Sequence, residues 1–396
     1  MADFYTPLLL PEALVRAQQE FSLALLRQVA QAQPQTNVFL SPFSVAMALL
    51  LALEGSAGAT REALAQTLRV AGLPAAQLTA AMGRQLAAFT QPSAEQVTLH
   101  VANGLWADAR FALAPTYVAR LREHYRAEAA TLDFAAPRAA AAINDWVSQH
   151  TQGRITELLA PTALTPAAPL VLANAVYFRG DWASKFEPGD TRPGPFTLAD
   201  GQLLRVPLMH LRSRQLGYLR GPDWQLVLLP YESYPREASL LLLVPDRPAG
   251  LPALLASFSA ASWTRWLTDL HANREPLEVE LTLPRFRLEW GQDLTPALRA
   301  LGLGPALGPG ADFTPMGFGP SAPGFIGQVA HKTYLSVDEQ GTEAAGATAM
   351  WLAGGAPDRR PPRRVQVRAD RPFGCAILDH ETATILFAGA VYRPGQ

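Results

Sequence analysis

An α+β fold is what this chain predicts, and three observations predict it. Segments with the three-to-four-residue apolar spacing of helices and segments with two-residue alternation both run along its 396 residues. They do not alternate strictly, as the βα units of a parallel-sheet protein would. Hydrophobic residues make up 49%, enough to fill a large core. In chain order, residues 12–32 read as an amphipathic helix with Leu14, Phe21, Leu25 and Val29 on one side. Ser41-Pro42 opens a very apolar helix, with proline well placed in its first turn, that runs to about Glu54. Gly55 to Thr60 form a turn before a helix from Arg61 to about Val70. Val97 to Ala107 alternates as a strand, residues 136–160 hold a helix, and 169–178 form an apolar strand buried on both faces. The stretch 225–245 gives two strands around a Tyr231–Arg236 turn. Residues 277–290 alternate through Leu277, Val279, Leu281 and Leu283, and strands follow over 364–368 and 373–392.

Composition excludes several function classes. A net charge of −1 offers no electrostatic footprint for nucleic acid. No apolar run reaches membrane-spanning length. The seven histidines show no ligand spacing, so neither a metal nor another cofactor is implied. Gly302, Gly304 and Gly308 have the wrong spacing for a phosphate loop, and Pro305 intrudes. The single Cys375 lies in an apolar run and reads as a buried thiol. The N-terminus lacks the basic start of a signal peptide, and no glycosylation sequon occurs. Only Lys185 and Lys332 are lysines, which with the Ala/Leu/Pro richness suggests a GC-rich, bacterial genome.

The most informative stretch runs from Glu339 to Met350. Its glycines and threonines weaken a helix. At period two, one face carries Thr342, Ala344, Gly346, Thr348 and Met350, and the other Glu343, Ala345, Ala347, Ala349 and Trp351. The first face is small enough to slide into a crowded sheet. That suits a loop that is soluble at first and buried later.

The segment from His331-Lys332 to Met350 resembles the hinge of the serpins, a family of serine-protease inhibitors. The resemblance extends over nearly the whole chain. Asn37-Val38-Phe39-Leu40-Ser41-Pro42-Phe43-Ser44, Ile143-Asn144-Asp145-Trp146-Val147 and Thr151-Gln152-Gly153-Arg154-Ile155 are similar to family segments. So are Leu172 to Trp182, Leu283-Pro284-Arg285-Phe286, Ala311-Asp312-Phe313 and Arg371-Pro372-Phe373, all in family order.

The resemblance implies one domain over 1–396, with three sheets, eight or nine helices and an exposed reactive loop at about 341–370. Ser41, Ser44, Asn174 and His331 match the family's shutter beneath the main sheet. Ser41 precedes Pro42 and no Gly-x-Ser-x-Gly occurs, so this set reads as a buried hydrogen-bond cluster and not as a hydrolase triad. Trp182, Arg285 and Glu339 match the breach, where the hinge first enters the sheet; an ordinary surface ion pair is the alternative. Glu339, Gly341, Thr342, Glu343, Ala344, Ala345, Gly346, Ala347 and Thr348 form the hinge by the same resemblance.

Family spacing places the scissile bond sixteen residues after Glu339, between Gly355 and Ala356. Arg359-Arg360 is the alternative bait for a trypsin-like protease, unless 359–364 is simply a solvated basic segment. Four extra residues add about 13 Å of tether, which favours Gly355. Leu352 and Ala353 are neighbouring alternatives for subtilisin- or elastase-like enzymes, and from Glu339 to Phe373 the loop is about six residues longer than in typical members, so the exact bond stays open.

The implied function is irreversible suicide inhibition of a subtilisin-, elastase- or trypsin-like serine protease by a monomer that is not itself an enzyme. The stretch matching the family's heparin-binding helix, about 69–90, carries only Arg69 and Arg84, so no polyanion activation is expected. The family places such a protein outside the cell; the absence of a visible signal leaves the cytoplasm as the alternative. A non-inhibitory serpin (carrier or chaperone) and a serine hydrolase are the competing readings.

Overall fold

The computed structural model describes residues 10–90, 97–164, 169–232, 237–273, 275–319, 324–342 and 362–395. Among these, three sheets and nine α-helices form the α+β architecture expected from the sequence. The helix Glu12–Ala32 buries Leu14, Phe21, Leu25 and Val29, the face its periodicity marked. The helix Pro42–Glu54 is buried on every side through Leu53, which is why its sequence shows no polar face. Ser41 caps it: its Oγ accepts from the Ser44 amide at 3.2 Å.

Two helix boundaries differ from expectation. The third helix begins at Gly58 and not at Arg61. The helix expected over 136–160 occupies only Ala139–His150. It stops because Gln152 and Gly153 adopt positive φ of 51° and 74°, outside the helical region. The following segment runs back along the helix, clamped by Asn144, whose side chain bonds both backbone amides of Leu158 and Leu159 at 2.9 Å.

The interior sheet has six strands in the order Val38–Leu40, Thr384–Val391, Phe373–Asp379, Ala238–Pro245, Trp224–Pro230, Gly217–Arg220. A four-stranded sheet follows the order Arg363–Arg368, Leu277–Pro284, Leu203–Ser213, Arg192–Thr197. The single alternating run read over 277–290 is in fact two strands in different sheets. Leu277–Pro284 belongs to the small sheet and Phe286–Asp293 to the main one. Pro284 has no amide to continue the ladder, and the Arg285 amide instead bonds Pro207 O at 2.9 Å.

The main sheet positions the site. Its order is Phe286–Asp293, Ile326–Val337, Gly341–Thr342, Leu170–Asp181, Val97–Asp108, Glu128–Leu132. Its two central long strands, Ile326–Val337 and Leu170–Asp181, pair directly and in parallel from Ile326/Leu170 to Tyr334/Tyr177. Beyond Tyr334 they diverge, and the two-residue strand Gly341–Thr342 fits between them. It is antiparallel to both, with Thr342 opposite Val337 on one side and Gly180 on the other. The sheet is therefore closed along most of its length and wedged at one end.

Candidate functional site: a polar row under the sheet and a seated hinge

The four residues assigned to the shutter come together. Asn103, Asn174 and His331 are directly opposite one another on three adjacent strands. His331 Nδ1 lies 2.6 Å from Asn174 Oδ1, and Asn174 Nδ2 donates to Asn103 Oδ1 at 2.6 Å and to Ser44 Oγ. On the other side of the imidazole, the Ser41 backbone amide donates to His331 Nε2 at 3.0 Å. Ser41 Oγ donates to Leu386 O at 2.6 Å, and Thr333 Oγ1 donates to Phe39 O at the same distance.

The cluster is closed to solvent, Ser44, Asn174 and His331 being fully buried. Burial lowers the His331 imidazole to about 3, so it is neutral throughout the physiological range. The geometry fixes its tautomer. An amide donates to Nε2, so the proton sits on Nδ1. This arrangement cannot perform nucleophilic catalysis. The histidine faces the amide of Ser41 and not its hydroxyl, and no substrate reaches either serine.

The breach residues also assemble, with more partners than the sequence suggested. Arg285 Nη2 donates to Glu339 Oε1 at 2.5 Å, and Thr191 Oγ1 donates to the same oxygen at 2.6 Å. The Glu339 side chain is 6% exposed and that of Arg285 50%, so this is a half-buried pair and not a surface one. Burial pushes the Glu339 carboxyl up, but the hydrogen bonds from Arg285 and Thr191 outweigh it and hold the group below its usual range. Trp182 does not join that pair. Its indole donates to Asp338 O at 2.9 Å and its amide to Gln340 O at 2.9 Å, so it grips the chain on both sides of Glu339.

Within the expected hinge, Gly341 and Thr342 are the described residues beyond Glu339 and Gln340. Glu343 to Thr348 and both candidate bonds, Gly355–Ala356 and Arg359–Arg360, lie outside the described residues. Gly341 passes so close to the opposite strand that a Cβ would meet Gly180 O at 2.2 Å. Gly180 in turn leaves space for the Tyr231 ring, which would touch a Cβ there at 2.7 Å. Tyr231 is stacked on Trp182 with centroids 4.8 Å apart, and its hydroxyl lies 2.7 Å from Thr342 Oγ1. Burial pushes its phenol above the ordinary range, so it stays protonated. Beside this seat Asp181 is buried, with its carboxyl 3.9 Å from both Arg179 and Lys185. Burial raises it, Lys185 and Arg179 pull it down, and the charge of Asp338 raises it again; the net shift is upward.

Sequence reasoning missed Asn103, Thr191, Tyr231 and Asp181. Asn103 had a signal, an amide between the apolar Val101-Ala102 and Leu105-Trp106 of the Val97–Ala107 strand. Tyr231 had none, because it was assigned to a turn.

Comparison with known proteins shows the family and the fold. A family profile described as "Serpin (serine protease inhibitor)" matches residues 16–394. The chain belongs to the serpin family. It is similar to the leukocyte elastase inhibitor of Sus scrofa, 33% identical over 97% of this chain and 100% of that protein. An uncharacterized serpin-like protein of Thermococcus kodakarensis is 34% identical over 96% of this chain and 85% of its own length. Among solved structures, a complex of human thyroxine-binding globulin superposes with a TM-score of 0.85. It covers 97% of this chain and 99% of that one at 24% identity, a likeness of fold. Relatives in a mammal and an archaeon do not support the bacterial source expected from composition.

Proposed function

We propose that this serpin is an irreversible suicide-substrate inhibitor of serine endopeptidases. One observation carries the reading: the two central strands of the main sheet pair directly, while the first hinge residues are already seated at the end where they diverge. That is a sheet with a place for one more strand and a loop with its end in that place. The protease serine attacks the loop carbonyl and forms an acyl-enzyme, the first half of its ordinary chemistry. The freed loop then extends the seated strand, the central pair parts, and the tethered protease is drawn along before water can hydrolyse the ester. The stability of the uncleaved form is accordingly kinetic. No turnover belongs to the protein itself, which acts as one domain and as a monomer.

Gly355–Ala356 is the proposed scissile bond on tether length, with Arg359–Arg360 as the alternative. A trypsin-like target suits the second; the first gives a specificity pocket little to hold, and the neighbouring Leu352 and Ala353 are what a subtilisin- or elastase-like target would take. An extracellular placement draws no support from the relatives, and a cytoplasmic one is compatible with the buried free thiol of Cys375. Mixing the protein with subtilisin, an elastase and trypsin separately, followed by denaturing gels and mass spectrometry of the cut, tests the mechanism. A denaturant-stable band near the combined mass, cut at one of the two bonds, is expected. Cleavage within 350–364 with no complex and no gain in thermal stability would instead leave a non-inhibitory carrier or chaperone.

A further inference from the structure

We infer that Tyr231 is the residue that seats the hinge, and that its hydroxyl contact with Thr342 sets how readily the cleaved loop inserts. Two glycines make the seat possible. Gly341 can lie against the Gly180 carbonyl only without a side chain, and the missing side chain at Gly180 admits the Tyr231 ring beneath the strand. The ring is fixed from both sides, by Trp182 at 4.8 Å and by Phe178 at 5.0 Å. Its backbone is fixed as well, through the bridge to Trp182 and the bond from its amide to Ala238 O at 3.0 Å. A rigid ring thus presents its hydroxyl to that of Thr342 at 2.7 Å, with Thr342 and Tyr231 both buried.

Seating matters because starting a strand between two others costs more than lengthening one. Ordering the first residues fixes their backbone before any run of pairing compensates, whereas each later residue adds bonds on both sides. With Gly341–Thr342 held, insertion after cleavage is an extension. Without the hydroxyl contact the hinge must first be captured, and the acyl-enzyme has that much longer to hydrolyse. Tyr231 touches neither the scissile bond nor the protease serine in this scheme; it is a positioning residue.

The variants Tyr231→Phe and Thr342→Val each delete one hydroxyl while keeping nearly the same shape. Amide hydrogen exchange of Gly341 and Thr342 reads the seat directly and needs no protease. Each variant is expected to speed that exchange by roughly 2- to 10-fold, the range of one neutral hydrogen bond, and the double variant by no more than either single one. Exchange in the interior strands Ala238–Pro245 and Phe373–Asp379 should stay as it was, which separates loosening of the hinge from general destabilisation. Unchanged hinge exchange in both variants, or fully additive effects, would overturn the assignment of the seat.

The second arm rests on the inhibitory reading. With the protease that forms a complex with the parent protein, Tyr231→Phe should shift partition from complex toward cleaved product by a similar factor. An unchanged partition alongside loosened exchange would overturn the role in insertion. If the parent protein forms no complex with any protease, the inhibitory mechanism fails while the exchange arm still decides the seat.

Discussion

Acidifying this protein should loosen it through His331, and the size of the effect follows from the shutter geometry. The imidazole is held by an amide that donates to Nε2 and by Asn174 Oδ1 at Nδ1. A second proton would have to go onto Nε2, where it would face the Ser41 N–H, donor against donor. Burial lowers the folded value to about 3, against 6.5 for a free histidine. A group whose folded value lies below its unfolded one contributes stability that is complete above about 6.5 and is lost as the pH falls toward 3. At pH 5 the unfolded chain has gained 1.5 pH units of protonation, and at about 1.36 kcal/mol per unit the native state is disfavoured by about 2 kcal/mol. If the shutter opens before the unfolding barrier, that equals a roughly 30-fold faster unfolding rate. The assay is the unfolding rate at fixed denaturant from pH 8 to pH 5, for the parent and for His331→Gln. Other groups titrate too, so the difference between the two profiles is the quantity of interest. The parent should accelerate below about pH 6.5 and the variant should be flatter by about that factor. Parallel profiles would refute the reasoning.

Other consequences can be checked on the same preparations. Replacing Arg285 with Ala takes from the nearly buried Glu339 its one charged partner among the described residues and leaves it Thr191 and its own backbone amide; because Arg285 is half exposed, a loss of about 1–2 kcal/mol is expected by chemical denaturation. Glu339 is held below its usual range, so this difference should be present at neutral pH and shrink as the pH falls below about 4.5. Gly341→Ala puts a methyl on the Gly180 carbonyl, so the hinge should leave its seat and hydrogen exchange at 341–342 should rise toward that of an unpaired segment. Asp181→Asn should raise the thermal midpoint at pH 7. Burial shifts the native carboxyl upward, which disfavours its ionised form in the fold relative to the unfolded chain, so the gain should shrink as the pH falls toward the ordinary aspartate value and be gone below it.

Much of the fold was legible because burial pattern follows period. The helix Glu12–Ala32 wears its core face openly, and the strand Leu170–Asp181 is apolar from Leu170 to Phe178 except at Asn174 because both its faces are covered. The break at Pro284–Arg285 did leave a mark in the period: the apolar positions run 277, 279, 281, 283 and then 286, 288, 290, a one-residue slip of phase where the chain passes from one sheet to another. The shutter was legible only as a resemblance. No spacing relates Ser41 to His331; their contact is created by a buried helix cap meeting a strand 290 positions away. The breach was partly legible, since Glu339 and Arg285 meet as expected. Trp182 was placed with them but holds the neighbouring backbone, and Tyr231 reaches the hinge through a bridge that pairs it with Trp182. Such contacts depend on where two turns meet in space, and local sequence carries no record of that.

The direct pairing of Ile326–Val337 with Leu170–Asp181 has a consequence for the molecule's life in a crowd. A closed pair of strands is also two concealed edges, and parting them presents two facing rows of unpaired N–H and C=O groups. Nothing in those rows distinguishes the molecule's own loop from an extended segment of a neighbour. On the proposed mechanism the polar row that ties the pair to the helix beneath it keeps those edges covered, and any change that weakens it should raise self-association on mild heating before secondary structure is lost.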